Sequence, residues 1–325
     1  MIQALQIYIS DSFDPYKNLA TEKYLLDTLP ENCCRLYLWQ NENTVVIGRN
    51  QNPWAECNCP LAQKEGAKLA RRLSGGGAVF HDLGNLNFTF LCSEKNYDLP
   101  RQMQVISEAC RLAGIETVLS GRNDILADNR KFSGNAFYNS KGKAYHHGTL
   151  MICADTEKMQ RYLTPSKAKL KAKGVKSVRS RVVNLSELSP SLTSEKMKEY
   201  MICAFEKVYN LKASFFNITD FSQTNALAES YQSDDYIYGK SAPFSFSCEG
   251  RFGWGEIQLL LEVKSGIVES VKVYTDSMDF TLAEKLQSAL RGVRFNITDM
   301  EKSLFSALPS VIAKDVSELL REQEI

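Results

Sequence analysis

Arg71-Arg72-Leu73-Ser74-Gly75-Gly76-Gly77-Ala78-Val79-Phe80-His81-Asp82-Leu83-Gly84-Asn85 is the stretch on which the reading of this chain turns. Three consecutive glycines are entropically unfavourable to order, so a fold that keeps them needs positive φ or a close backbone approach. Two arginines precede them, and together these residues offer unobstructed amides and guanidinium forks to an anionic ligand. No Gly-Lys-Ser/Thr follows, so this is not a Walker A loop, and the dinucleotide GxGxxG spacing is absent. A plain glycine turn between strands does not call for the arginine pair, His81 and Asp82 beside it. Downstream, Asn85 to Leu91 alternates apolar and polar residues, the pattern of a strand.

Two further constellations carry chemistry. In Gly121-Arg122-Asn123-Asp124 and Arg130-Lys131-Phe132-Ser133-Gly134-Asn135-Ala136, Lys131 sits among apolar and small residues. There an ammonium can be held against a phosphate or carbonyl oxygen and stabilise charge that develops in a transition state. Asp124 is the candidate magnesium ligand, since that ion prefers oxygen donors and binds through one or two carboxylates. In Tyr145-His146-His147-Gly148-Thr149-Leu150 the adjacent histidines point to opposite faces of a strand. With three histidines in all and no acid close by in sequence, a zinc site is rejected. One of the pair lines a pocket and the other is structural. The nine cysteines show no CxxC spacing and read as reduced thiols of a cytoplasmic protein. Cys153 has the chemistry of a nucleophile, but a small buried hydrophobe is the favoured reading.

Elsewhere the 325 residues alternate strands and helices as far as Tyr231. Leu5 to Ile9, Arg35 to Trp39 and Thr44 to Ile47 read as strands. Asp14 and Pro15 cap a helix running to about Leu29, and Arg101 to Ala113 is a helix stopped by Gly114. Helices are also expected near Ser194 to Tyr209 and Asp220 to Tyr231. The polar stretch Ser233 to Pro243 reads as a linker. Beyond it, Gly255 to Val263 and Ile267 to Tyr274 form a hairpin about Lys264-Ser265-Gly266, with helices following, enough for a small α+β unit.

Composition is ordinary for a globular protein, with 44% hydrophobic and 24% charged residues, which excludes disorder and collagen-like structure. No apolar run is long enough for a membrane helix. Met1 to Asp14 lacks the basic start of a secretory signal, so a cytoplasmic location is expected. The net charge of +1 creates no field that recruits nucleic acid. It hides one asymmetry: Lys158 to Ser186 holds nine basic residues and no acid. Lys169, Lys171 and Lys173 lead through Gly174 into alternating valines and cations, the pattern of a loop entering a strand that presents its charges to a polyanion such as a nucleotide phosphate.

Taken in order, these motifs resemble the lipoate–protein ligase A family, in its two-domain bacterial form. Arg71 to Asn85 resembles the family's RRxSGGGAVFHDxGN signature, Lys131-Phe132-Ser133-Gly134 its KxSG motif, and His147-Gly148-Thr149-Leu150 its HGTL. Lys171 to Leu185 looks like the adenylate-binding loop, Gly48-Arg49-Asn50-Gln51-Asn52-Pro53-Trp54 also matches, and Arg251-Phe252-Gly253-Trp254-Gly255 resembles the start of the accessory domain. The resemblance implies an α+β fold: a class II aminoacyl-tRNA synthetase/biotin–lipoate ligase-like catalytic domain over residues 1–241 and a small α+β C-terminal accessory domain over 242–325. It implies two steps, lipoate and ATP giving lipoyl-AMP and pyrophosphate, then lipoyl transfer to a lysine. The acceptors would be lipoyl domains of 2-oxoacid dehydrogenase E2 subunits or the glycine-cleavage H protein.

Carried over by residue, Arg72, Gly77, Ala78, Val79, Phe80 and Lys131 contact ATP. Gly75, Gly76, His81, Lys131 and His147 bind lipoate, with Lys131 touching both the lipoyl carbonyl and the α-phosphate. Lys171, Lys173, Gly174, Ser177, Val178 and Arg179 belong to the adenylate-binding loop, and Asp124 stands for Mg²⁺. Three other readings compete. An octanoyl- or lipoyltransferase on this fold would use a cysteine thioester, with Cys153 its candidate, but such transferases generally lack the C-terminal unit. A biotin ligase fits the signature less well. A non-catalytic binding protein would use the basic 158–186 segment for RNA or a partner.

Overall fold

The computed structural model describes residues 1–51, 53–120, 124–163, 182–238, 246–264 and 266–323. In chain order its strands are β1 (Ala4–Ile9), β2 (Cys33–Trp39), β3 (Thr44–Ile47), β4 (Lys68–Arg71), β5 (Val79–His81), β6 (Asn85–Ser93), β7 (Val118–Ser120), β8 (Asp124–Ala127), β9 (Arg130–Ser140), β10 (Lys143–Met151), β11 (Ala213–Phe215), β12 (Phe246–Phe252), β13 (Gly255–Lys264) and β14 (Ile267–Thr275). Eight of them form one sheet in the order β11-β1-β2-β6-β10-β9-β8-β7. A small sheet, β4-β3-β5, lies on it and ends at the glycine loop between β4 and β5.

The two faces of the large sheet explain its sequence. Successive side chains of a strand alternate sides. On β6, Leu86, Phe88, Phe90 and Cys92 join one core, while Leu91 joins the other. The first core is covered by the helices Leu99–Leu112 and Ser194–Tyr209, which contribute Val105, Ile106, Ala109, Met197, Met201 and Phe205. Gly114, at φ +76°, ends the earlier helix as expected. The second face takes α1 (Pro15–Asp27), started by Asp14, whose carboxylate accepts from the Tyr16 and Lys17 amides. Every residue of β6 is buried. The polar residues that made it alternate, Asn85, Asn87 and Thr89, therefore do not face solvent. They lie on the α1 side, where the site is.

One expectation fails. The polar stretch after Tyr231 is not wholly a linker, because Asp234–Tyr238 forms a short helix. Ile237 is buried, Tyr236 stacks on Tyr231 at 4.7 Å, and the Ile237 carbonyl accepts from Arg71 Nε at 2.9 Å. Tertiary contacts order what composition marked as loop. Residues 239–245 lie outside the described residues.

Strands β12, β13 and β14 form an antiparallel sheet. With the helices Leu282–Leu290, Ile297–Ala307 and Ser310–Arg321 they enclose a core drawn from Cys248 to Leu320. The end of β14 meets the 48–51 turn, and the segment after it reaches the glycine loop. Thr275 N donates to Asn50 O at 2.7 Å, Gly76 N donates to Ser277 O at 3.1 Å, and the Phe280 ring meets Tyr138 at 4.8 Å. Among the described residues no helix is long and apolar enough to cross a membrane.

Candidate functional site

Strand register lays two rows of side chains across the α1 face of the large sheet. In the first, Trp39 on β2 stands opposite Asn87 on β6, and Asn87 opposite Thr149 on β10. Thr149 Oγ1 accepts from Gly134 N of β9 at 3.2 Å, which carries the row to the next strand. A Cβ on Gly134 would lie 2.9 Å from Lys131 Nζ, so the ammonium stands directly over that glycine. The second row is Tyr37, Thr89, His147 and Ala136. The result is a pair of side-chain rows across the sheet with a cation at their β9 end and an indole at their β2 end.

Above the second row runs a buried hydrogen-bond chain. Glu22 of α1 accepts from Thr89 Oγ1 at 2.7 Å and lies 2.8 Å from His147 Nδ1. A carboxylate has no proton to give, so Nδ1 is the donor there, and Nε2 lies 2.7 Å from Ser74 Oγ. Ser74 Oγ in turn accepts from Arg72 Nε at 3.0 Å. The chain thus ties the sheet to the glycine loop through groups distant in sequence. Its partner in the histidine pair points the other way. His146 is held by Gln102 and Asn135 among the rings of Phe88, Phe90 and Phe137. Burial pushes it down to about 3, so it is a neutral core residue. One histidine thus joins the buried chain to the glycine loop, and the other is structural.

The arginine pair behaves differently from its sequence reading. Arg72 donates to the carbonyls of Val46, Gly75 and Gly77 at 3.2, 2.7 and 2.8 Å. Arg71 donates to those of Gly48, Arg49 and Gln51 at 3.0, 2.8 and 2.9 Å. Both are buried, and burial lowers each to about 10 while leaving it charged at neutral pH. The forks face the protein's own carbonyls, most of them in the tight turns at 48–51 and 75–77, where backbone acceptors depart from the regular ladder. Gly76 takes φ +87°, and a Cβ on Gly48 would lie 2.2 Å from the Gly76 carbonyl, so both positions need glycine. Gly77, Ala78 and Val79 remain half-buried at the loop edge, and Phe80 packs edge-on to Tyr162 at 5.5 Å.

Lys131 Nζ pairs with Asp124 Oδ1 at 2.7 Å, its side chain 31% exposed. Asp124 was the magnesium candidate; the structure sets it beside an ammonium, whose charge opposes a second cation there. Among the described residues no three His, Cys, Asp or Glu side chains are grouped to hold a metal. The Lys131 carbonyl accepts from Val183 N at 2.9 Å, so the end of the basic segment joins the sheet at this residue. Lys171, Lys173, Gly174, Ser177, Val178 and Arg179 lie outside the described residues. Cys153 is exposed, contrary to expectation. It follows β10 at a turn, where its backbone is held against Gly84 and its side chain points outward.

Several site residues escaped the sequence reading: Glu22, Trp39, Thr89 and Asn87. The available signal was Asn18 and Glu22, one helical turn apart on the buried face of α1. Two polar groups on an inward face require buried partners.

Residues 14–206 match the model of the lipoyl protein ligase A/B catalytic domain, and residues 241–318 that of the bacterial lipoate protein ligase C-terminus. A curated lipoate-protein ligase A of Bdellovibrio bacteriovorus is 40% identical over 314 residues, 94% of this chain and 93% of its own. One from Blochmanniella pennsylvanica is 39% identical over 308 residues, 90% of this chain and 89% of its own. Among solved structures, Plasmodium falciparum LipL1 in complex with lipoate superposes with a TM-score of 0.84 at 28% identity, covering 97% of this chain and 98% of that one. A Thermoplasma acidophilum bipartite lipoate protein ligase, at 22% identity and TM-score 0.63 over 76% of this chain and 100% of that one, shares the fold. With both domain models matched, the chain belongs to the lipoyl protein ligase A/B family, in the form that carries the bacterial lipoate protein ligase C-terminal domain.

Proposed function

We propose that this chain is an ATP-dependent lipoate–protein ligase. In the first step a lipoate carboxylate oxygen attacks the α-phosphorus of ATP, pyrophosphate leaves, and lipoyl-AMP forms. In the second the ε-amine of an acceptor lysine attacks the lipoyl carbonyl carbon, the carbon–oxygen bond to AMP breaks, and nitrogen loses a proton. The observation that carries this reading is the Lys131 ammonium standing over Gly134 at one end of the two side-chain rows, which we read as the floor of a long slot. An apolar chain ending in a carboxylate needs that arrangement, a slot with its charge-stabilising group at one end. Lys131 neutralises charge on both the carboxylate and the α-phosphate, and the protein's main task is to position and neutralise.

Lipoate lies along the slot with Gly75, Gly76, His81 and His147 around it. ATP lies across the loop edge at Gly77, Ala78, Val79 and Phe80, on a turn whose shape Arg72 maintains. The basic segment containing Lys171, Lys173, Gly174, Ser177, Val178 and Arg179 covers the adenylate. Mg²⁺ arrives on the nucleotide, its ligands mainly phosphate oxygens, as that ion usually binds in phosphoryl-transfer sites. The acceptors are apo lipoyl domains of E2 subunits and the glycine-cleavage H protein. The chain divides near residue 241 into catalytic and accessory units, a division supported by the separate core from Cys248 to Leu320. A cytoplasmic location suits its nine free cysteines. The thioester route has little support, since the exposed Cys153 thiol makes no hydrogen bond to a base among the described residues.

Intact mass of an apo H protein and an apo E2 lipoyl domain, after incubation with this protein, lipoate, Mg²⁺ and ATP, tests the proposal. An ATP-dependent gain of one lipoyl group is expected. A gain without ATP points to the transferase, and no gain with no lipoate-dependent pyrophosphate release overturns the ligase.

A further inference from the structure

Two buried nitrogen donors at the β2 end of the slot have no hydrogen-bond partner among the described residues, Asn87 Nδ2 and His81 Nε2. Their orientations follow from their neighbours. In the Asn85–Asn87 pair, Asn85 Nδ2 donates to Asn87 Oδ1 at 3.0 Å, and in that arrangement the Asn87 amide nitrogen is the unmatched group. Asn18 Nδ2 donates to Asn41 Oδ1 at 2.9 Å, so Asn41 turns its own Nδ2 on His81 Nδ1 at 3.1 Å. His81 must then carry its proton on Nε2. Asn87 is 1% exposed and His81 3%, so both are withdrawn from bulk solvent. Buried donors without acceptors are uncommon in native folds and ask for a reason. Both adjoin Trp39: Asn87 is its register partner, and the His81 ring stands edge-on to it at 6.1 Å.

Strand spacing fixes where they lie along the slot. Lys131 Nζ hangs over Gly134 on β9, and the row crosses β10 at Thr149 to reach Asn87 on β6. Two strand spacings are about 10 Å. From carboxyl carbon to ring sulfurs, lipoate extends roughly 9 Å at ordinary bond lengths. With its carboxyl at Lys131, the dithiolane therefore falls over Asn87 and against Trp39.

We infer that Asn87, assisted by His81, determines acyl specificity by donating an N–H to the dithiolane sulfur, so the slot selects a chain ending in a lone-pair-bearing ring over an all-carbon chain of the same shape. This rests on the lipoate reading above. Sulfur is a weak acceptor. The selection comes chiefly from the alternative, in which an apolar ring seals the donors away with nothing to bond.

Three acids test it: lipoate, its carbocyclic isostere 5-cyclopentylpentanoate, and octanoate, each followed by acid-dependent pyrophosphate release. In the unaltered protein kcat/KM for lipoate should exceed that for the isostere by about fivefold to tenfold. Asn87→Leu, of similar volume, should bring the ratio to within about twofold of unity by raising the isostere and octanoate relative to lipoate. A near-unity ratio in the unaltered protein, or an unchanged ratio in Asn87→Leu, overturns the inference. Should that variant fail to fold, the side-chain amide resonance of Asn87 decides. It must move with lipoate and stay in place with the isostere, and equal shifts overturn the inference. If none of the acids releases pyrophosphate with the unaltered protein, the ligase reading itself has failed and the inference falls with it.

Discussion

The ammonium of Lys131 is half-exposed and makes its salt bridge at the slot mouth, so removing it should leave the fold intact. Lys131→Ala is expected to lower lipoate-dependent pyrophosphate release by about a thousandfold, the scale of losing a main electrostatic stabiliser, with an unchanged melting temperature. Formation of lipoyl-AMP at the normal rate would remove Lys131 from the mechanism. The buried histidines make a pH prediction of definite sign. Burial pushes His81 and His146 down to about 3. In the unfolded chain both titrate near their ordinary value of about 6.5. Below that pH the unfolded state binds protons the folded state refuses, so stability falls as pH drops from about 6.5 toward 3, by up to about 1.4 kcal/mol per pH unit for each ring. Urea unfolding between pH 6 and pH 5 reads the slope, and His146→Gln should halve it. A flat profile in that window would show that the rings are not held neutral.

At the scale of an element, two glycines of the motifs should behave in opposite ways. Gly134→Ala places its methyl 2.9 Å from Lys131 Nζ and 3.1 Å from Cε, the far end of a flexible side chain. That chain can move aside, so activity should fall about tenfold or more with little loss of stability. Gly84→Ala places its methyl 2.0 Å from the Cys153 carbonyl oxygen and 2.8 Å from Ala154 N, both backbone atoms. Neither can yield cheaply, and a loss of about 3 kcal/mol is expected in denaturant unfolding. Equal effects on stability would mean that the β10 end is looser than its packing indicates. The strand β6 shows why patterns of this kind mislead. Its alternation was legible, but alternation alone reads as one wet face. Placement between β2 and β10 buries both faces and turns the polar one into the floor of the proposed slot.

Across the whole molecule, the segment after β14 is pressed on the glycine loop through Gly76 N and the Ser277 carbonyl. A methyl on Gly75 would lie 2.2 Å from that carbonyl oxygen. Gly75→Ala should displace the segment, and amide hydrogen exchange should quicken at Gly76 while the central strand β6 keeps its protection. Unchanged exchange at Gly76 would show that the contact contributes nothing to holding the two parts together. Sequence alone determined the glycine loop, the lysine and histidine motifs, most element positions and the family resemblance, because each depends on residues adjacent in the chain or on a local period. It did not reveal that Arg71 and Arg72 serve the turns' own carbonyls, or that the stretch after Tyr231 continues as a helix. Nor did it pair Glu22 with His147, 125 residues apart, or set Asn87 and His81 around Trp39. Those arrangements exist only where strands distant in sequence lie side by side. Burial then makes every polar group find a partner or wait for one, and which partner it finds is a property of the assembled sheet.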